Sequence, residues 1–181
     1  MPFARKPRKN YDETALYEYA VGALARKMRT VAEVKRLLRQ KVLPEQAATI
    51  EAVVDRLKEH NYLNDSRYAA AYSSLRKDNQ KFGSRRVVSD LKGKGVHGEV
   101  IASIVPAIYE HVDEVEQARQ YLRRKRARPP ADQRAAARIF RMLMRAGFSG
   151  GTTIAVLKTW KVDDDTLAAL QSESAEAGFP E

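Results

Sequence analysis

Residue types that commonly carry chemistry are present in this chain, but they are not assembled into a familiar constellation. His60, His97 and His111 lie far apart and lack the H-E-x-x-H spacing of a helical metal site. The plain reading places each on a surface or at a helix end. The run Gly93-Lys94-Gly95 suggests a phosphate loop, but Val96 follows where Ser or Thr is needed and the upstream glycine is missing. A helix C-cap with a basic last turn explains it better. Asp163, Asp164 and Asp165 are one local carboxylate run without supporting ligands. They suit the first turn of a short helix starting near Thr166. No cofactor motif is found, and no catalytic residue is assigned.

Arginine is the informative residue type. Arg134, Arg138, Arg141 and Arg145 step by 4, 3 and 4, which confines them to an arc of about 60° on a helix. Ile139, Met142, Leu143 and Ala146 fall on the other side. Arg119, Arg123 and Arg126 form a second stripe, opposite Val115, Ala118 and Leu122, and Arg124, Lys125 and Arg128 widen it. Arg85, Arg86, Lys92 and Lys94 add a third basic group. A solvated helix face usually carries carboxylates at i±4, yet Asp132 is the only acid between Gln117 and Val162. Unpaired arginine files repel one another, and a phosphate backbone or an acidic protein face would relieve that repulsion. Guanidinium suits bidentate contact with phosphate and carboxylate alike.

The charge of the whole chain agrees. Net charge is +10 over 181 residues. From Lys161 onward one lysine faces six carboxylates, a balance of −5, which leaves +15 on residues 1–160. The absence of cysteine excludes disulfides, thiolate metal sites and thiol nucleophiles, and fits a reducing cytoplasm. MPFARKPRKN is basic with no apolar core behind it, so it reads as a disordered arm over 1–10 rather than a secretory signal. No apolar run approaches the roughly 18 residues of a membrane span.

The elements that must position these cations repeat. VKRLLRQKVLPEQA, VVSDLKGKGVHGEV and IFRMLMRAGFSGGT align on Leu38, Leu91 and Leu143, with offsets of 53 and 52 residues. Val34, Val87 and Ile139 stand four before the leucine, and Leu43, Val96 and Phe148 five after it. Gly95 and Gly147 suit left-handed C-caps, while Pro44 does the stopping in the first copy. Nine glycines, seven prolines and abundant helix formers indicate an all-α chain. A period near fifty suggests an array of three-helix units.

In the first unit, 11–63, helices are expected at 11–28, from a Thr30/Glu33 capping box to about 41, and at 44–59. HNYLND closes it, with Tyr62 and Leu63 packing back. Asn64 or Asp65 caps the second unit, 64–110, whose first helix should bury Tyr68, Ala69, Tyr72 and Leu75. Its second helix runs from Gly83 or Ser84 to Lys92, and its third from about His97 to Glu110, with Pro106 expected to kink or break it. The third unit, 111–161, should place helices at 111–127, 131–146 and 150–160. Asp132 is the middle cap, and Phe148, Ile154, Val156, Leu157 and Trp160 complete the core. Residues 162–181 read as a frayed acidic tail.

These motifs resemble the RecX family of recombinase regulators. NYLNDSRYAAAY from Asn61 is similar to the family's Tyr-Leu-[Asn/Asp]-Asp-x-Arg-[Tyr/Phe]-Ala corner. GSRRVVSDLKGKGV from Gly83 resembles its Gly-x-x-Arg segment with a closing Lys-Gly. ALARKMRTVAEVKRLLRQK and, loosely, MLMRAGFSGGTTIAVLKTW fit the first and last units, so the resemblance spans about residues 15–160. The sequence departs in having Thr30 where the family often has Ser, and Val42-Leu43-Pro44 for a glycine-containing turn.

The resemblance implies three tandem three-helix repeats in an elongated, curved array. It also implies a non-enzymatic monomer that binds RecA and its filament on single-stranded DNA and restrains ATP hydrolysis, coprotease and strand-exchange activity. The basic groups would then contact the DNA phosphate backbone, acidic RecA surfaces, or both. Two other readings stay open. A free-standing DNA-binding protein with helix-turn-helix-like units would need base-reading Asn or Gln beside the cations. A nuclease would need a supported carboxylate cluster.

Overall fold

The computed structural model describes residues 10–176, and the proposed arm falls outside them apart from Asn10. The fold is all-α. Its helices are α1 (Glu13–Arg26), α2 (Val31–Arg39), α3 (Ala47–Glu59), α4 (Asp65–Gln80), α5 (Ser84–Gly93), α6 (Gly98–Tyr109), α7 (Glu114–Arg124), α8 (Gln133–Arg145), α9 (Gly150–Thr159) and α10 (Asp164–Glu176), with a 3-10 turn at Pro44–Gln46 before α3. None of them is long and apolar enough to cross a membrane. The chain divides into two compact units. One holds residues up to Ala69 with Leu91–Ile101, and the other holds Ala70–Asp90 with residues from Ala102 onward.

In the first unit, Asp12 caps α1 by accepting from Ala15 N at 2.7 Å. Leu16 and Ala20 of α1 meet Val34 and Leu38 of α2 and Ile50, Val53, Val54 and Leu57 of α3 in one core. Gln46 fastens the chain start to the 3-10 turn, accepting from Tyr11 N at 3.1 Å and donating to Tyr11 O at 2.6 Å. The α3 end is a Schellman motif: Asn61 takes φ 58°, Asn61 N donates to Lys58 O and Tyr62 N to Leu57 O. Leu63 is buried as expected, but Tyr62 is 50% exposed, because the left-handed Asn61 turns it away from the core.

The corner that follows is a joint. Asn64 caps α4, accepting from Arg67 N at 2.9 Å. That leaves Asp65 free to accept from Val31 N at 2.9 Å, an orphan donor of α2. Thr30 and Glu33 form the reciprocal capping box. The Thr30 hydroxyl is fully buried and is used twice: it accepts from Glu33 N at 3.1 Å and donates to Lys94 O at 2.7 Å, at the end of α5. Gly95 holds φ 78°, and a Cβ there would stand 2.4 Å from Ala32 Cβ.

The second unit contains the same joint, moved by one repeat. Gly83 N, one residue before α5, donates to Ala146 O at 2.9 Å. A Cβ on Gly83 would lie 2.2 Å from Gly147 O, and one on Gly147 (φ 89°) would lie 2.2 Å from Arg86 N. Gly83 stands 53 positions after Thr30 and Ala146 stands 52 after Lys94, the offsets of the leucine alignment. Phe82 O accepts from Tyr109 OH and Gln117 Nε2 at 2.8 and 2.6 Å, which fixes the approach to α5. The core of this unit joins Ala118, Tyr121 and Leu122 of α7, Ile139, Phe140 and Leu143 of α8, Phe148, and Val156 and Leu157 of α9. Ile154 and Trp160 pack at its margin. Glu114 of α7 accepts from Ser149 N and both Ser149 and Thr152 hydroxyls, holding a carboxylate at the start of α9.

Besides the exposure of Tyr62, three further expectations change. Pro106 does not break α6. Pro106 and Ala102 are both exposed, so the carbonyl that the missing N–H would have served lies on the wet side of the helix. Leu75 is 53% exposed rather than core, and fully buried Ser73 takes the inward position instead. The stretch expected to fray forms α10: Asp163 accepts from Thr166 N at 2.8 Å, and Leu167 and Leu170 join the core formed by α7, α8 and α9. Residues 177–181 of the expected tail lie outside the described residues.

Gly147→Ala is expected to lower unfolding stability by about 2–4 kcal/mol, since it combines positive-φ strain with a backbone clash. Lys161→Gly, also at positive φ (58°), should stay within about 1 kcal/mol of the parent. Urea unfolding monitored by circular dichroism separates the two. Asp65 gives a pH signature. Burial, the largest cause, holds its carboxyl above the ordinary aspartate value, against the opposing pull of the Val31 N–H. Its contribution to stability is therefore full below the ordinary value and is lost as pH rises through the folded one. Asp65→Asn should match the parent at pH 3 and equal or exceed it at pH 7.

Candidate nucleic-acid interface

Helix α8 is a two-faced element. Asp132 accepts from Ala135 N at 2.7 Å and so is occupied as the cap. Ala136, Ile139, Phe140 and Leu143 are buried, and Arg134, Arg138, Arg141 and Arg145 are all exposed on the opposite face. Among the described residues none of the four arginines forms an ion pair. Four guanidinium groups in file, without an acid, are a ready counter-surface for a row of phosphates or carboxylates.

The Gly147 joint brings further cations to the end of this file. Arg85, Arg86, Ser89, Met144, Arg145, Gly147 and Phe148 line a cleft of about 260 Å³. Arg86 is held by Asp90 at 3.0 Å, with its guanidinium 5.8 Å from the Phe82 ring centre. Arg85 Nη1 is buried without a hydrogen-bond partner. Three of the sequence-selected arginines thus share one cleft. Ser89 and Met144, which complete its wall, carry no sequence signal of their own.

The remaining cations divide between free and engaged. Arg123 pairs with Glu116, and Arg119 lies 3.9 Å from the same carboxylate. Glu116 is held below the usual carboxylate range, first by the Arg123 hydrogen bond. The α7 stripe is therefore a partly paired face, a correction that follows from Glu116 standing three and seven residues before these arginines. Arg126 is not on the stripe: α7 ends at Arg124, Lys125 is its C-cap, and Arg126 takes φ 53° beyond it. Arg124 is exposed in the last turn, and Lys125 Nζ lies 5.6 Å from the Tyr121 ring centre. In the other unit Lys92 is exposed, whereas Lys94 lies 3.3 Å from Glu33 and beside Tyr68, so it serves the Thr30 joint.

Relatives bear on what such an arrangement serves. The family model described as the first three-helix domain of RecX matches residues 17–57, and that described as the second matches residues 64–103. The regulatory protein RecX of Leptothrix cholodnii is 37% identical over 111 residues, covering 61% of this chain and 68% of that one. That of Herbaspirillum seropedicae is 33% identical over 116 residues, covering 64% and 73%. Among solved structures, RecX from Lactobacillus salivarius superposes with a TM-score of 0.65 at 20% identity, over 83% of this chain and 97% of that one. Another regulatory protein RecX gives 0.63 at 21% identity, over 81% and 71%. The corner at Asn61, the Gly83 segment and the extent of these matches lead to one conclusion: this chain belongs to the RecX family of regulatory proteins.

Proposed function

We propose that this protein binds the RecA–DNA nucleoprotein filament and, without catalysis of its own, restrains RecA's ATP hydrolysis, coprotease action and strand exchange. The observation that supports this most is the unpaired arginine file of α8 continuing into the Arg85/Arg86/Arg145 cleft, in a chain of a regulatory family. The file would track phosphates of filament DNA. We further propose that the chain acts as three consecutive three-helix units, 11–63, 64–110 and 111–161, working as a cytoplasmic monomer. The proposed contact set keeps Lys92, Arg124 and Lys125 with the α8 file, and gives Arg86, Arg119, Arg123 and Lys94 a weaker part because carboxylates already hold them. Arg126 contributes from the turn after α7 rather than from the helix.

A free-standing DNA-binding protein is the second reading, favoured by the outward guanidinium groups alone. It requires duplex binding that depends on base sequence, and phosphate contacts carry no such information.

Arg134, Arg138, Arg141 and Arg145 changed together to Gln should preserve the thermal transition. The change should flatten the slope of log affinity against log salt on single strands by about 3 and weaken inhibition of RecA strand exchange at least tenfold. Undiminished inhibition by the folded variant overturns the assignment. The reading as a whole is tested by titrating the protein into RecA on single-stranded DNA while following ATP hydrolysis. Inhibition well below RecA stoichiometry is expected. Inhibition that begins only when the protein coats the DNA favours the second reading.

A further inference from the structure

The first unit carries a second surface of a different chemical kind. Only three large hydrophobic side chains among the described residues are prominently exposed, and two of them, Met28 at 46% and Tyr62 at 50%, flank one cleft. The cleft is about 210 Å³. Val21, Leu24 and Ala25 of α1 form its aliphatic wall, Met28 closes one end, and the Asn61–Tyr62 corner forms the other side. The α3 Schellman turn presents Tyr62 here, since the left-handed Asn61 takes the ring off the core. Water-exposed apolar groups gathered around a concavity mark a contact site more often than isolated ones do.

The charges of the lining are of one sign. Arg29 and Arg67 are its charged residues, and no carboxylate lines it. Arg29 Nε is shielded from water and has no hydrogen-bond partner, while Arg67 donates to Asn61 O at 2.7 Å. Arg26 and Lys27, both exposed, extend the cationic rim next to Met28. Two carboxylates close in sequence to the lining are already engaged: Asp65 with Val31 N, and Glu33 with Thr30 and Lys94. An aliphatic floor with a cationic rim suits an apolar side chain flanked by carboxylates. A nucleic-acid strand would leave the aliphatic wall without a complementary partner.

We infer that the Met28/Tyr62 cleft docks an acidic segment of a partner protein, seating one bulky apolar side chain against α1 and its flanking carboxylates on Arg29 and Arg67. Resting on the function proposed above, that segment belongs to RecA, so this cleft grips the protein part of the filament while α8 meets its phosphates.

The test uses the full chain and two independent variants. Met28→Gln with Tyr62→Ser removes two exposed apolar groups. Ala25→Trp leaves both in place and fills the cleft. Each is titrated against fluorescent RecA filaments on oligo-dT and against bare oligo-dT, with thermal melting as the fold control. Both variants are expected to bind filaments at least tenfold more weakly than the parent, while their affinity for bare oligo-dT stays within twofold. Filament binding equal to the parent's overturns the cleft's role and leaves the filament reading standing. Equal losses on filament and bare DNA also overturn it, since the cleft then belongs to the DNA-binding surface. A parent that prefers neither filament nor bare DNA defeats the filament reading and this assignment with it. Parent dimerisation in light scattering that both variants abolish replaces RecA with a second copy of the chain.

Discussion

The fold depends on how one helix start meets another helix end. A helix offers unpaired N–H groups at its start and unpaired carbonyls at its finish, and burying either without a partner is costly. Here the two needs are met against each other. Thr30, at the start of α2, donates its hydroxyl to Lys94 O at the end of α5, and Gly83, at the start of α5, donates its N–H to Ala146 O at the end of α8. The positions correspond through the 53- and 52-residue offsets. Macrodipoles meeting in this sense, positive start to negative end, attract. At the end of α2, Val42 stands at the position of Gly95 and Gly147 and is a buried core residue.

The same joints sort the cations. Lys94 and Arg86 sit at joints and have carboxylate partners, Glu33 and Asp90. The α8 arginines have none among the described residues, because the acid nearest in sequence, Asp132, is occupied as the helix cap. A helix whose inner face is filled by Ile139, Phe140 and Leu143 cannot rotate its arginines inward. The guanidinium file is therefore held outward by the core behind it.

Much of this was legible in the sequence because it is written in short-range chemistry. The Thr30 capping box, the Asp132 cap, the α8 stripe and the leucine period all depend on spacings within one or two turns. What was not legible depended on chain neighbours brought from far away. Glycine at 95 and 147 reads as a C-cap, yet Asn61, Arg126 and Lys161 adopt the same left-handed conformation without glycine. The difference is the backbone or Cβ of another helix lying where a side chain would go, which no local pattern reveals. Tyr62 read as core because it adjoins Leu63, and a one-residue turn of the chain sent the two apart. The acidic run pointed to a short helix starting near Thr166, but the docking of Leu167 and Leu170 that keeps the last helix from fraying rests on distant neighbours.

At the Gly83 joint both partners are main-chain groups, the Gly83 amide and the Ala146 carbonyl, hydrogen-bonded at 2.9 Å where Gly83 and Gly147 let the two backbones approach. Such a connection makes almost no demand on the identities of the side chains around it. It permits extensive divergence on every side while the helix-to-helix geometry is kept. That is how a chain can retain only about a fifth of its residues in common with a solved relative and still follow the same path through space.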